Sequence, residues 1–317
     1  MTPVYLAVFI AGLILLELGA GLFTDQAKEL AERAGVSETL AGLLTVGIEW
    51  EELVVVLVAG LSGRPAIAVG DVIGSCIANL GGSLGIGLLA RPVTVRRDDR
   101  RVGWVMLGVT VLTVALAWLS GGALTRLTGF LLITLFVVYL AVLVILFRRG
   151  LLITLLQNDQ DEKSETRRGV LFAFLGVLGG LALVIGGAEL VVRSAVQLAR
   201  LWGVSEFVIG VTLVALGTTL PDTVINVIAA RKEHGGLVMA NAAGSNICNL
   251  LFSLGVAATV TPLMLGRGVL TFDLPYLLGV TALVVVVQRN ARLGRASGMV
   301  LAALYAFYMV HSFALSG

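Results

Sequence analysis

The chain has 317 residues, of which 58% are hydrophobic and 13% are charged, and its mean hydropathy is +1.00. Soluble domains contain about 25% charged residues, so this composition excludes an ordinary water-soluble domain and predicts an integral membrane protein. The net charge of +2 is too small to indicate nucleic acid as a partner. The two cysteines, Cys76 and Cys248, lie in apolar segments and are interpreted as buried hydrophobic residues rather than as a disulfide or a metal pair.

Ten apolar runs approach the roughly 20 residues that are needed to cross the hydrocarbon of a bilayer. They lie near residues 3–23, 39–61, 65–90, 103–121, 127–147, 169–190, 207–230, 236–262, 268–288 and 297–315. The first run has neither a basic segment before it nor a small-residue cleavage site after it, which indicates a retained helix rather than a signal peptide. The sequence therefore predicts an all-α membrane protein with ten transmembrane helices in the lipid bilayer.

Arginine and lysine are distributed unevenly between the two sides that ten spans would create. Seventeen lie in the five connections on the side of the first loop, and five lie on the other side. Those five are Arg64, Arg126, Arg193, Arg200 and Arg267. By the positive-inside rule the first side is cytoplasmic, so we expect a plasma-membrane protein with both termini outside. The polar connection at 148–168 is interpreted as a solvated cytoplasmic linker.

The two halves of the chain resemble each other in sequence. A shift of 170 residues aligns the segment 74–85 with 244–255, with eight of twelve positions identical, and it also pairs Glu52 with Asp222. Each half holds five spans, an odd number, so the second half enters the membrane from the opposite side and the repeats are inverted. In this architecture the substrate site usually lies between the repeats near the midplane. The expected units are a first repeat at 1–147, a linker at 148–168 and a second repeat at 169–317.

Polar groups interrupt the second half at mid-membrane depth. Thr218, Thr219 and Asp222 surround Pro221, which is expected to free carbonyl oxygens at 215–218 because proline removes a backbone donor. An ionised carboxylate in hydrocarbon is costly, so Asp222 should face the interior of the helix bundle. A hard cation such as Ca²⁺ takes about six to eight oxygens, and this segment supplies several of them.

Further hydroxyls and amides recur at equivalent positions of both halves. In each half a Ser and an Asn stand four residues apart and share a helical face, and a third polar residue four positions earlier extends that face as a ligand or as a supporting group. These residues are Asp71, Ser75 and Asn79 in the first half, and Asn241, Ser245 and Asn249 in the second. The alternative is that they, with the neighbouring glycines, only hold helices together.

Three acids of the first half, Glu49, Glu51 and Glu52, lie at the matching depth. In a regular helix Glu49 and Glu52 share a face, whereas Glu51 points elsewhere. Carboxylates this close cannot all stay ionised in a low dielectric, so at least one is expected to hold a proton that could take part in coupling. Alternatively, Glu49 or Glu51 is a paired or protonated packing group.

These segments resemble the cation/calcium exchanger superfamily, whose two α-repeats carry G-T-S-x-P-E followed by G-N-x-x-G-S-N-x-x-N/D. The match is close at 217–222 and 240–249. The resemblance implies a secondary antiporter that exports Ca²⁺ or a similar inorganic cation in exchange for Na⁺ or H⁺ by movement of a two-helix gating bundle, without a cofactor. It implies Glu52 and Asp222 as the central acids. Around them it places Thr218, Thr219, Ser75, Asn79, Ser245 and Asn249.

The first repeat departs from the family pattern. Ile48, Glu49 and Glu51 stand in place of the hydroxyl pair and the proline, and Asp71 and Cys76 stand where Asn is usual. In the second repeat the usual Glu is shortened to Asp222. These changes remove hydroxyls typical of Na⁺ sites and add titratable groups, which shifts the expectation toward proton coupling or another divalent ion.

Two other classes of function stay open from the sequence. One is a membrane-embedded metal-dependent enzyme, against which stands the lack of a nucleophile or a histidine cluster, since His234 and His311 are the only histidines. The other is a non-transporting relative of the exchangers with a regulatory or structural role. The sequence does not specify an oligomeric state.

Overall fold

The chain is built almost entirely of helices. The computed structural model describes residues 2–33, 49–96, 100–148, 170–290 and 292–314. The elements of the first half are α1 (Thr2–Arg33), α2 (Trp50–Leu61), α3 (Pro65–Ile77), π1 (Ala78–Ser83), α4 (Leu84–Ala90), β1 (Val93–Thr94), α5 (Arg100–Leu119), β2 (Ala123–Leu124) and α6 (Arg126–Arg148). Those of the second half are α7 (Val170–Trp202), α8 (Glu206–Ile209), π2 (Gly210–Val214), α9 (Ala215–Thr218), α10 (Leu220–Arg231), α11 (Gly235–Cys248), π3 (Asn249–Ser253), α12 (Leu254–Val260), β3 (Leu263–Met264), π4 (Val269–Asp273), α13 (Leu274–Val287), β4 (Arg292–Leu293) and α14 (Arg295–Ala314).

Eight helical stretches in the described ranges are long and apolar enough to cross a bilayer. A ninth forms if Glu206–Thr218 and Leu220–Arg231, which meet at 45°, count as one bent span. The prediction of a helical membrane protein with several spans is confirmed at this level. The first part of the predicted second span and the predicted linker beyond residue 148 lie outside the described residues.

Two helices are longer than the apolar runs that predicted them. α1 continues to Arg33 instead of ending near residue 23, and α7 continues to Trp202 instead of ending near residue 190. The predictions placed the helix ends where hydropathy falls because charged residues begin. Ala, Leu, Lys, Glu and Arg are strong helix formers, however, and they extend both helices beyond those points. α7 stops only at Gly203, whose φ of +69° suits the residue after a helix end.

Corresponding elements of the two halves pack in reciprocal pairs. α4 packs against α14, and α12, which corresponds to α4 under the 170-residue shift, packs against α6. The short ladders repeat this exchange, because Val93 pairs with Leu293 in β1–β4 and Leu263 pairs with Leu124 in β2–β3. Each half thus completes the packing of the other.

The two most buried spans are α3–π1–α4 and α11–π3–α12. α5, α6, α7 and α14 instead expose large hydrophobic side chains, including Trp104, Phe130, Phe174 and Phe307. Because hydrocarbon is the solvent for such side chains, these helices form the lipid-facing shell. The buried polar residues are concentrated in the two central spans and the helices that cover them.

α1 and α7 lie along each other with their backbones in contact. A Cβ atom on Gly12 would be 3.0 Å from the carbonyl oxygen of Gly187, and one on Gly19 would be 2.9 Å from that of Gly180. Small residues at such positions let membrane helices approach closely, where van der Waals packing holds them together. The glycines of both helices therefore allow α1 and α7 to pack as a two-helix unit.

We expect Gly19→Ala to weaken the contact between α1 and α7. The new methyl group would lie 2.6 Å from the backbone nitrogen of Val184 and 2.8 Å from the Cβ of Leu183, and overpacking of this kind costs about 1–3 kcal/mol. The melting temperature of the purified protein in detergent should fall. Gly21→Ala is the control, because a Cβ there meets nothing within 4 Å. An unchanged melting temperature for Gly19→Ala would contradict the close packing.

Candidate cation-binding site

The bend between α9 and α10 is stabilised by its own threonines. Pro221 occupies the first turn of α10, where a missing N–H costs no helical hydrogen bond. The hydroxyl of Thr219 donates to the carbonyl of Ala215 at 2.6 Å, and that of Thr218 lies 3.2 Å from the carbonyl oxygen of Val214. The expectation of free carbonyls at 215–218 is therefore wrong for Ala215. Lone pairs of the two hydroxyl oxygens can still face an ion.

Asp222 lies in the first turn of α10 and is held by two side chains of α11. Its Oδ1 accepts a hydrogen bond from Asn241 Nδ2 at 3.0 Å, and its Oδ2 accepts one from Ser245 Oγ at 3.2 Å. A helix N-terminus also favours negative charge. Asn241 thus contacts the central carboxylate directly, and Ser245 shares that carboxylate with it.

Thr218 brings the two halves together at their centre. Its hydroxyl lies 3.3 Å from Ser75 Oγ and 3.4 Å from Asp71 Oδ1, both on α3. This approach is possible because Gly74 packs directly on π2, where a Cβ would be 2.5 Å from the carbonyl oxygen of Val211. Asp71 is fully buried, and its Oδ2 has no hydrogen-bond partner within the described ranges.

The three glutamates of the first half do not share one helix. Glu49 precedes α2 with a non-helical ψ of 89°, so its expected i, i+3 relation to Glu52 is wrong as a helical spacing. The two carboxylates nevertheless interact electrostatically with each other and with Asp222. Glu52 is 2% exposed, and no oxygen of either carboxylate has a hydrogen-bond partner among the described residues. The charged neighbours of Glu51 include Glu17 of α1, Glu49 and Asp222.

Asn79 and Asn249 lie in π1 and π3, at equivalent places of the two central spans. Both are fully buried, and in the described part of the chain neither amide group has a hydrogen-bond partner. A π turn widens a helix locally and is frequent at functional sites. An amide left without partners in hydrocarbon is costly, so these two side chains require a ligand or ordered water.

The polar centre offers oxygens of three kinds. Carboxylates come from Glu49, Glu52, Asp71 and Asp222, amides from Asn79 and Asn249, and hydroxyls from the serines and threonines described above. Among the residues that the structure describes, no three His, Cys, Asp or Glu side chains are grouped as a metal centre of that composition would require. A site made of mixed oxygen donors suits a hard cation such as Ca²⁺ or Na⁺, which accepts amide, hydroxyl and carboxylate oxygens alike.

The sequence analysis did not predict two buried hydrogen bonds. Asn226 Nδ2 donates to Ser83 Oγ at 2.7 Å, and Asn246 Nδ2 donates to the carbonyl oxygen of Cys76 at 3.0 Å. Asn226 lies four residues after Asp222 and therefore shares its helical face, and this spacing could have identified Asn226 from the sequence. For Asn246 the signal was its place in the motif next to Ser245.

Cys76 and Asn246 are equivalent under the 170-residue shift, yet they contact each other. The thiol of Cys76 lies 4.0 Å from the carbonyl oxygen of Asn246, while the amide of Asn246 donates to the carbonyl of Cys76. This contact joins the two central spans at equivalent positions of the two halves. Both cysteines are free thiols, and the prediction that they are buried is confirmed.

Buried carboxylates, amides and hydroxyls at the contact between two similar halves of a helical membrane protein define the class of membrane transporters. The comparisons with known proteins identify the family. The family model of sodium/calcium exchanger proteins matches residues 4–145 and 172–314. The chain therefore belongs to the sodium/calcium exchanger protein family, as the motifs predicted. Its relatives are transporters, so the chain is not an enzyme.

Individual relatives match over nearly the whole chain. The membrane protein MJ0091 of Methanocaldococcus jannaschii is 30% identical, over 94% of this chain and 94% of its own. The sodium/calcium exchanger MaX1 of Methanosarcina acetivorans is 28% identical, over 98% and 99%. A solved structure of the sodium-calcium exchanger NCX_Mj is 27% identical, covers 98% of this chain and 99% of its own, and superposes with a TM-score of 0.63.

We expect Asn246→Leu to lower the stability of the protein. The substitution removes the amide that binds the carbonyl of Cys76, and a buried acceptor left without its donor costs about 1–3 kcal/mol. The melting temperature in detergent should fall, whereas Asn290→Leu, at an exposed position, should leave it close to that of the parent. Equal melting temperatures for Asn246→Leu and the parent would show that this bond does not hold the two halves together.

Proposed function

We propose that the chain is an antiporter that exports Ca²⁺, or a similar cation, in exchange for Na⁺ or H⁺. The observation that carries this proposal is the set of buried oxygens without hydrogen-bond partners in Glu49, Glu52, Asp71, Asn79 and Asn249. Relatives support the choice of ions, since MaX1 is named a sodium/calcium exchanger and NCX_Mj structures are described with Na⁺, Ca²⁺ and Sr²⁺.

In this proposal Glu52 and Asp222 are the central ligands, one from each half. The remaining oxygens come from residues that lie around them or hold them in place. These are Ser75, Asn79, Thr218, Thr219, Ser245, Asn249 and Glu49. Asp71 accepts a hydrogen bond from Thr218, and Asn241 donates one to Asp222. Asp71 and Asn241 therefore act as supporting groups.

We further propose ten transmembrane helices in two inverted five-helix repeats, at 1–147 and 169–317, joined by a cytoplasmic linker at 148–168. The reciprocal packing of α4 with α14 and of α12 with α6 supports the repeats. The family model also matches in two blocks of similar length. The excess of basic residues on one side supports a plasma-membrane protein with both termini outside.

Alternating access requires a unit that moves against a fixed site, and the two-helix unit of α1 and α7 is suited to this role. Its helices pack on each other through paired glycines, so they can shift together. A Cβ on Gly217 would lie 2.5 Å from Leu13 of α1, so α1 lies directly against the α9–α10 bend. A shift of this unit would therefore change access to the residues around Thr218.

Glu51 is the best candidate for carrying the coupling proton. Its charged neighbours include Glu17 on α1, and Glu49 and Asp222 at the proposed site. Acids so placed in a low dielectric cannot all be ionised at once. Binding of a cation near Asp222 would favour release of a proton from this group, which couples the two fluxes.

The antiport proposal is tested by ⁴⁵Ca²⁺ uptake into proteoliposomes, driven separately by outward Na⁺ and outward H⁺ gradients. Glu52→Gln and Asp222→Asn should each reduce uptake by at least about tenfold, because each removes a charged ligand and a tenfold change corresponds to about 1.4 kcal/mol. Asp273→Asn is the matched control, since Asp273 is also buried in a span but accepts a hydrogen bond from Tyr308 at 2.7 Å.

The parent and control must transport alike for this test to be informative. Flux that survives both Glu52→Gln and Asp222→Asn would contradict the proposed site. A folded parent protein that takes up no divalent ion under either gradient would favour the non-transporting alternative.

We expect Glu51→Gln to separate proton coupling from Ca²⁺ binding. Glutamine keeps the shape of the side chain but cannot exchange a proton, so H⁺-driven uptake should fall by about tenfold or more. Ca²⁺ binding measured by calorimetry should change little. If H⁺-driven uptake is the same in Glu51→Gln and the parent, the proton is carried by another acid, and Glu49→Gln is the next variant to measure.

A further inference from the structure

A cavity of about 580 Å³ lies at one end of the two-helix unit, apart from the cation site. It is bounded by the beginning of α1, the last part of α7 and the turn between α2 and α3. Volumes of this size are typical of pockets that bind small molecules. Nothing in the proposed exchange of cations uses it.

The cavity has a positively charged lining. Three arginines border it, Arg64, Arg193 and Arg200, and they are three of the five basic residues that the charge distribution assigns to this side of the membrane. Arg193 forms an ion pair with Glu189 at 2.5 Å, and Arg64 forms one with Glu206 at 2.6 Å.

Arg200 has no ion-pair or hydrogen-bond partner among the residues that the structure describes. Three positive and two negative side chains therefore leave one positive charge at the cavity. This charge opposes the entry of cations, so the cavity is poorly suited as an access path for the transported ions.

The length of α7 indicates that the cavity lies near the lipid headgroups. α7 has 33 residues and is therefore about 50 Å long, which exceeds the roughly 30 Å of hydrocarbon in a bilayer. Its last turns, from Arg193 to Trp202, extend toward or beyond the membrane boundary. Tyr5 lines the cavity and Trp202 ends the helix, and both residue types are enriched at membrane interfaces.

We propose that this cavity binds the headgroup of an anionic phospholipid. The single negative charge of a phosphodiester matches the one uncompensated positive charge, and arginine binds phosphate oxygens through two parallel N–H groups. Most of the remaining lining is apolar, beside the polar Ser62, Ser194 and Gln197. The apolar part includes Val4, Val8, Leu190 and Val196, which suits the start of an acyl chain. Free phosphate would neither contact the apolar lining nor fill the cavity, so both features favour a lipid.

The test measures lipid binding to the full-length protein in detergent by native mass spectrometry with added phosphatidylglycerol. The parent protein should retain one lipid, and Arg200→Gln should bind it about tenfold more weakly, as expected for loss of one charge-assisted hydrogen bond. Arg267→Gln is the control, since Arg267 belongs to the same side but does not line the cavity. Val8→Trp provides a second variant that fills the apolar part without changing charge.

The outcomes separate lipid from other ligands. Weaker binding in both Arg200→Gln and Val8→Trp, with Arg267→Gln unchanged, supports the proposal. Equal retention of phosphatidylglycerol by the parent and both cavity variants overturns it. Displacement of the lipid by millimolar inorganic phosphate would show that the cavity is a site for free phosphate, which also overturns a lipid site. Because the readout is binding, it does not depend on whether the protein transports Ca²⁺.

Discussion

The structure depends on the cost of holding carboxylates away from water. Glu52 and Asp71 are buried, and Asp222 is half-buried, where the two central spans meet their covering helices. Each charge that water reaches poorly needs a partner. Asp222 is satisfied by Asn241 and Ser245, and Asp71 partly by Thr218, whereas Glu52 has none among the described residues. The difference follows from the sequence, because the second half has a hydroxyl and the amide of Asn241 at positions where the first half has acids, including Asp71. A cation that neutralises these acids supplies what the protein alone lacks.

Close packing of backbones makes this polar centre possible. Gly70 and Gly74 of α3 lie against π2, so that a Cβ at either position would be 2.5 Å from a carbonyl oxygen of the other half. The short distance lets Ser75 and Asp71 reach Thr218 across the contact. Close packing at glycines also occurs between α1 and α7, where it holds two helices together but brings no polar cluster together. Glycine thus brings polar side chains together in the centre and lets α1 and α7 pack as a separate unit at the edge.

Much of the architecture could be predicted from sequence, because hydrocarbon imposes a simple rule on composition and length. The repeated segment around Ser75 and Ser245 located the centre, and the shift of 170 residues paired Glu52 with Asp222. The sequence did not predict where helices end when charged residues continue them, as at Arg33 and Trp202. It also assumed a regular helix through Glu49 and did not identify the bond between Asn226 and Ser83. Local backbone breaks and contacts between distant segments depend on tertiary packing, which periodicity does not encode.

The bond between Asn226 and Ser83 has no equivalent in the other half. The corresponding positions are Ser253 and Val56, and valine offers no group to which the hydroxyl of Ser253 could bind. In a carrier made of two identical inverted halves, the states open to either side would have equal free energy. A hydrogen bond that exists in only one half makes the free energies of these two states differ. The resting orientation of such a protein is then determined by the residues at which its two halves differ, and substitutions there would change the preferred orientation without touching a ligand.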